Sequence, residues 1–290
     1  MSAGLYLIDK ERGLTSAAVV AQLKRKLNLR KVGHAGTLDP MATGLLICLA
    51  DQATRFASFA GGGEKTYSGE IRFGLVTSSD DITGEVLHHS EKMPDFAAVK
   101  EKAITLTGEI SQIPPQVSAL KVDGQRAYNL ARNGEQVELA ARKVTVSSFE
   151  ISPISSDTVS FVVRCSSGTY VRSLARDLGA MLGCGGCLAS LRREASSPFS
   201  VSNARKLADI GASDIISFEA LFPEAPRLRP GASLVRRLAS GDERALLEVS
   251  RAEELKKPAE TALYYDDSGN LCGLLKYSGV RWEFGVNLAA

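Results

Sequence analysis

The sequence predicts a mixed α/β (α+β) fold, and three observations carry that prediction. Tyr67, Gly69, Ile71 and Phe73 alternate with Ser68, Glu70 and Arg72, a period of two that gives a strand one buried face. Apolar residues recur at helical spacing in three places: Val19, Val20, Leu23 and Leu27; Phe96, Val99, Ala103 and Leu106; and Val171, Leu174, Leu178 and Leu182. After a stretch rich in Pro, Arg and Gly at 223–230, the last sixty residues hold the strand-like runs LEVS, TALYY, LCGLLKY and RWEFGV. With 290 residues, 44% of them hydrophobic and 23% charged, the chain has the makings of one large globular domain and a small appendage.

The elements follow in order. Thr15 and Ser16 supply caps for the first helix, and Lys24, Arg25 and Lys26 sit at its end, where they complement the helix dipole or meet phosphate. Residues 32–44 are Gly-rich and contain Asp39-Pro40, which predicts a loop ahead of a buried run from Leu45 to Leu49. Gly61 to Gly63 predict a flexible join before the alternating strand. Pro94 and Asp95 open the second helix. The segment IPPQVSALKVDGQRAYNLARNG is polar and basic and predicts a surface insertion, about 113–143. Val144 to Ile151 and Val159 to Cys165 predict two strands, which a Ser-Ser-Gly turn joins to the third helix. A turn at Asp267-Ser-Gly sits among the last strands, and residues 231–290 are expected to form a small β-rich domain.

Charge and composition narrow the function. The net charge is only +2, but it runs +4 over 1–60, −4 over 61–110, +4 over 111–210 and −2 over 211–290. Two basic segments allow a face that binds a polyanion, while the low total argues against a purely electrostatic nucleic-acid coat. No apolar run approaches the ~20 residues of a membrane span. Charges at Asp9, Lys10, Glu11 and Arg12 interrupt any leader, so a cytoplasmic protein is expected. Five cysteines fit a reducing compartment. Cys184-Gly-Gly-Cys187 has zinc-ligand spacing, but with no second pair and three histidines in the chain it reads as a small-residue turn, and no metal is expected. A P-loop, a G-x-S-x-G elbow, a two-histidine zinc helix and a GxGxxG are all missing.

One carboxylate stands out: Asp39, in GHAGTLDPMATG. Asp before Pro is a common turn initiator, and the loop alone does not decide between turn and chemistry. A carboxylate in a glycine-rich loop can approach a substrate closely, and Arg172 of GTYVR could keep it ionised, though Arg172 reads equally as an exposed residue early in a helix.

The ordered blocks LIDKERGLTS, VGHAGTLDPMATGLL, EKTYSGEIRFG, TSSDDITGE, PPQVSALKVDGQRAYNLAR and CSSGTYVRSLARDLG together resemble the TruB family of tRNA pseudouridine-55 synthases, over residues 5 to about 210. Glu11, where the family usually has Pro, and Ser78-Ser79, in a block more often written with Asp and Thr, are departures. The resemblance implies a pseudouridine synthase core over 1–228 with a central mixed sheet, an RNA-binding insertion near 113–143, and a PUA-like piece at 231–290. It implies that Asp39 attacks the uridine, at uracil C6 or ribose C1′, without cofactor or metal. Arg172 would pair with Asp39, Tyr67 would stack on the flipped base and handle its C5 proton, and Tyr170 lies in the same block. Asp81 would organise the loops, Leu191 would wall the pocket and His34 would fill the gap left by the extracted base. Lys10, Lys121, Arg126 and Arg132 would follow the phosphate backbone. The implied partner is the tRNA T stem-loop, met by a monomer needing no protein subunit. Each residue also has a structural reading: strand tyrosine, turn histidine, core leucine, solvated cation. Two rival functions stay open, an RNA-binding tRNA folding factor without catalysis and an aspartate-nucleophile nucleoside hydrolase; the latter usually shows a carboxylate pair.

Overall fold

A computed structural model of the protein describes residues 3–118, 121–122, 125–126, 139–252, 255 and 259–288. The chain opens with β1 (Gly4–Lys10), α1 (Ser16–Lys26), β2 (Val32–Ala35), β3 (Thr43–Ala50), α2 (Ala57–Gly62) and β4 (Lys65–Phe73). A hairpin, β5 (Leu75–Thr77) and β6 (Val86–His89), leads to α3 (Phe96–Thr105) and β7 (Gly108–Gln112). Two short strands, β8 (Lys121–Val122) and β9 (Gln125–Arg126), precede β10 (Arg142–Pro153), β11 (Thr158–Cys165), α4 (Val171–Met181) and β12 (Gly186–Ser196). The short β13 (Phe199–Ser200), β14 (Arg205–Lys206) and β15 (Arg227–Leu228) come before α5 (Ala232–Ala239), α6 (Glu243–Val249), β16 (Thr261–Tyr265), β17 (Leu271–Tyr277) and β18 (Trp282–Asn287).

One large mixed sheet runs β14-β1-β3-β12-β4-β11-β10-β7, with β2 added on β3 and β13 on β12. Two antiparallel blocks make up most of it, β1-β3 and β12-β4-β11-β10-β7, with β14 parallel to β1 at the edge. They meet at a short parallel seam where Arg192 and Arg193 of β12 face Thr43 and Gly44 of β3. The buried faces of α1, α3 and α4 pack on one side through Val19, Leu23, Val99, Leu174 and Leu178, as their spacing predicts. Thr15 caps α1, its Oγ1 accepting from Ala18 N at 3.0 Å, and Asp95 caps α3.

On the other side, Leu5, Leu7, Leu45, Ile47, Leu49 and Phe56 share an apolar core with Leu263, Leu274 and Val286 of the four-stranded sheet β15-β16-β17-β18. That sheet takes its edge strand from Arg227–Leu228, so the division drawn at 228–231 falls inside it. Asp266 N bonds Asn270 O across the expected turn.

Three local readings are corrected. His34 does not lie in a loop: β2 pairs with β3 in register His34 to Cys48, because residues 32–35 are covered by a buried neighbour strand and tolerate Gly33 in extended backbone. Gly61 and Gly62 end a short helix instead of a flexible join. LEVS is the end of α6, whose Asp242 cap and buried Ala245, Leu246 and Val249 follow helical spacing, so the C-terminal piece is two helices and a sheet.

Candidate active site

Asp39 sits at the centre of a web of main-chain ties. Its own carbonyl accepts from Ala42 N at 3.0 Å, a turn, so the turn and the partly open carboxylate coexist. Ser16, buried beside the α1 cap, has its Oγ bonded to Leu38 twice, donating to its carbonyl at 3.1 Å and accepting from its N–H at 2.9 Å. Gly13 N donates to Pro40 O at 2.7 Å. Together they fix the residues on either side of Asp39.

Lys10 belongs to this web and not to a phosphate track. It is 1% exposed, and its Nζ donates to Leu14 O at 2.7 Å, Glu11 O at 3.0 Å and Pro40 O at 3.4 Å. This corrects the expected surface role: the amine is caged by carbonyls beneath Asp39-Pro40. Burial drives its pKa down to about 8, with Asp39 opposing and Arg193 assisting.

Arg172 enters from the first turn of α4. It is buried, and its Nε faces Asp39 Oδ2 at 2.9 Å while Nη2 donates to Oδ1 at 3.1 Å. Nη1 donates to Ser79 O at 2.8 Å and Nη2 to Val117 O at 3.0 Å. The guanidinium therefore orients the carboxylate while being locked itself, and the Asp39 side chain keeps 32% of its surface open.

Asp81 approaches the same guanidinium at 3.7 Å, and its Oδ1 accepts from Ser79 Oγ and Thr83 N, both at 2.9 Å, and from Thr83 Oγ1 at 2.5 Å. It orders the 77–84 loop, which is clipped to β12 by Leu188 N to Asp80 O and Ile82 N to Leu188 O. Asp80, at a φ of 60°, pairs with Arg176 at 2.9 Å; burial raises its pKa against that pairing. Tyr170 precedes α4, with Gln112 bonded to both its N–H and its carbonyl and Arg142 lying 4.6 Å over its ring.

Tyr67 and Leu191 share a sheet face, both nearly buried, with Arg193 directly opposite Tyr67. Burial raises the Tyr67 pKa, so the phenol keeps its proton at neutral pH; Arg193 opposes the rise by charge and hydrogen bonding. His34 is half-buried, its pKa lowered by burial and by Arg193, and its buried Nδ1 has no hydrogen-bond partner among the described residues. Lys121 and Arg126 pair across the β8–β9 ladder, while Arg132 lies outside the described residues. Sequence reading passed over Arg193, Lys65 and Gln112. For Arg193 a signal existed: it shares the inward parity of Leu191 on β12.

Two family profiles match adjoining stretches of the chain, which together span residues 24–221. One, described as "TruB family pseudouridylate synthase (N terminal domain)", matches residues 24–171, more than half of the chain. The chain belongs to the TruB family of pseudouridylate synthases. The second, "tRNA pseudouridylate synthase B C-terminal domain", matches 172–221, so Asp39 falls in the first match and Arg172 opens the second. The TruB-family assignment makes the chain a pseudouridine-forming isomerase. It is 45% identical to the tRNA pseudouridine synthase B of Leifsonia xyli subsp. xyli (strain CTCB07), covering 100% of this chain and 98% of that protein. It is 43% identical to the protein of that name from Thermobifida fusca (strain YX), over 92% of each. A chain of the solved "Crystal Structure of a Cbf5-Nop10-Gar1 Complex" superposes with a TM-score of 0.68 at 25% identity, covering 94% of this chain and 78% of that one. Among the described residues no helix is long and apolar enough to cross a membrane.

Proposed function

We propose that this TruB-family enzyme isomerises uridine 55 in the T loop of tRNA to pseudouridine, with Asp39 as the nucleophile. One observation carries the role of Asp39: both its oxygens are held by a buried guanidinium while a third of the side chain stays open to a substrate. Its relatives' name, tRNA pseudouridine synthase B, supports the substrate.

The reaction breaks the N1–C1′ bond, turns the retained uracil and forms C5–C1′; C5 gives up its proton and N1 gains one. Substrate and product are isomers, so no electrons are exchanged and no cofactor enters the balance. Asp39 attacks the uridine to open this sequence, and the ties on Leu38, Pro40 and the carboxylate hold it in attacking geometry. Extracting the base from a folded loop costs a few kcal/mol of stacking. In this reading Tyr67 stacks on the base as a neutral phenol, Leu191 and Tyr170 bound its pocket, Asp81 keeps Arg172 in place, and His34 fills the vacated position. Lys121, Arg126 and Arg132 meet the phosphates, and residues 231–290 extend contact with tRNA outside the T loop. The enzyme acts as a monomer in the cytoplasm, where its substrate resides.

The test is incubation with unmodified tRNA followed by pseudouridine mapping. The parent should convert uridine 55, and Asp39→Asn should bind tRNA with parental affinity yet form no product. Turnover by that variant would remove the mechanism, and a parent that binds tRNA without converting it would return the non-catalytic folding factor.

A further inference from the structure

Arg193 is 1% exposed, and among the described residues no carboxylate lies within ion-pair distance of it. An isolated buried charge is expensive, and an apolar side chain of similar volume is often at least as stable in such a place. What surrounds the charge is the Asp39 loop. Nε donates to Leu45 O at 2.6 Å and Nη2 to Gly36 O at 3.1 Å, the two ends of the segment that carries Asp39. A Cβ on Gly36, at a φ of +78°, would lie 3.3 Å from Nη1, and one on Gly44 would lie 2.3 Å from Arg193 O. Both glycines thus let the loop close on this residue. Tyr67 stands directly across the strand pair.

We infer that Arg193 is a positioning residue for pseudouridine formation: its guanidinium fork clasps the Gly36 and Leu45 carbonyls, setting the height of the Asp39 loop against Tyr67. This rests on the proposed role of Asp39. Arg193 never meets the RNA, since it is sealed under the loop, so its effect falls on the chemical step and not on affinity. The other titratable groups that feel it are Lys10, Lys65, His34, Cys48 and Tyr67.

The full-length protein is assayed in single turnover with saturating T stem-loop RNA, alongside RNA affinity and thermal unfolding. Arg193→Lys keeps charge and stem but cannot span both carbonyls. Its rate should drop about a hundredfold, the effect of an ångström-scale misplacement, with affinity within about threefold of parental. A buried lysine beside Lys10 and Lys65 also titrates where arginine does not. Its rate should therefore fall further as pH rises from 7 to 9, more steeply than in the parent, where Lys10 and Lys65 already titrate near 8. Arg193→Met, folded, should lose the rate at every pH. A parental rate in a folded Arg193→Met, or in Arg193→Lys with a pH profile no steeper than the parent's, overturns the inference. So does a loss that appears wholly in affinity. Failure of the parent to make pseudouridine would instead strike the proposed function.

Discussion

The two faces of the large sheet solve different problems with the same strands. Behind β1 and β3, Leu5, Leu7, Leu45, Ile47 and Leu49 meet Leu263, Leu274 and Val286 in an apolar core. In front, the same sheet buries Lys10, Lys65, Asp81, Arg172 and Arg193, each satisfied mainly by backbone carbonyls, loop amides or an opposite charge. Apolar burial is non-directional and forgives small shifts, whereas a hydrogen-bonded charge fixes position at the cost of desolvation. Both faces bury apolar side chains, and the front face spends part of that stability to hold one carboxylate still.

That contrast can be broken at three points. The largest effect is expected from Leu274→Ala in the rear core, which should cost about 2–5 kcal/mol of stability. Single-turnover rate on saturating T stem-loop, per folded molecule, should stay near parental. A strong loss of rate in folded protein would show that the faces are not separable. Arg172→Lys attacks the front face: it retains charge but cannot hold both Asp39 oxygens together with Ser79 O and Val117 O. Turnover should fall about a hundredfold with modest change in melting temperature, and near-parental turnover would reduce Arg172 to a simple charge.

The smallest effect concerns Lys65, whose Nζ is caged by Gly61 O and Gly63 O and whose pKa burial lowers from 10.5 to about 8. Between those two values the folded chain has released a proton that the unfolded chain still holds, so stability rises with pH in that window. Measured against Lys65→Met, the parent should gain melting temperature as pH goes from 8 to 10. A constant difference would mean the amine is not titrating in the fold.

Legibility in the sequence followed the kind of signal. Helix α1 was readable because Thr15 and the apolar spacing agree, and β4, β10 and β11 because alternation is bounded by turns. Strand β2 was hidden because Gly33 and Gly36 imitate a loop, and α5 and α6 because short helices in an Arg-rich stretch lack a long periodic run. Asp39 and Arg172 were visible through their motifs. Lys10 was misread as a phosphate contact, since nothing local distinguishes a lysine caged by carbonyls from one in solvent. Arg193 was overlooked because no strand is read over 186–196, so the parity it shares with Leu191 goes unused.

The seam between β3 and β12 has a mechanical consequence. Two residues on each side join the antiparallel blocks, so side chains, more than the ladder, must tie one leaf to the other. Asp39 hangs from the β3 leaf, and Arg172 sits on α4, which packs on the β12 leaf. Their ion pair therefore crosses the seam as a second fastening, beside the bonds of Arg193 to Gly36 O and Leu45 O and of Arg192 to Asp9, and the nucleophile is held from both leaves at once.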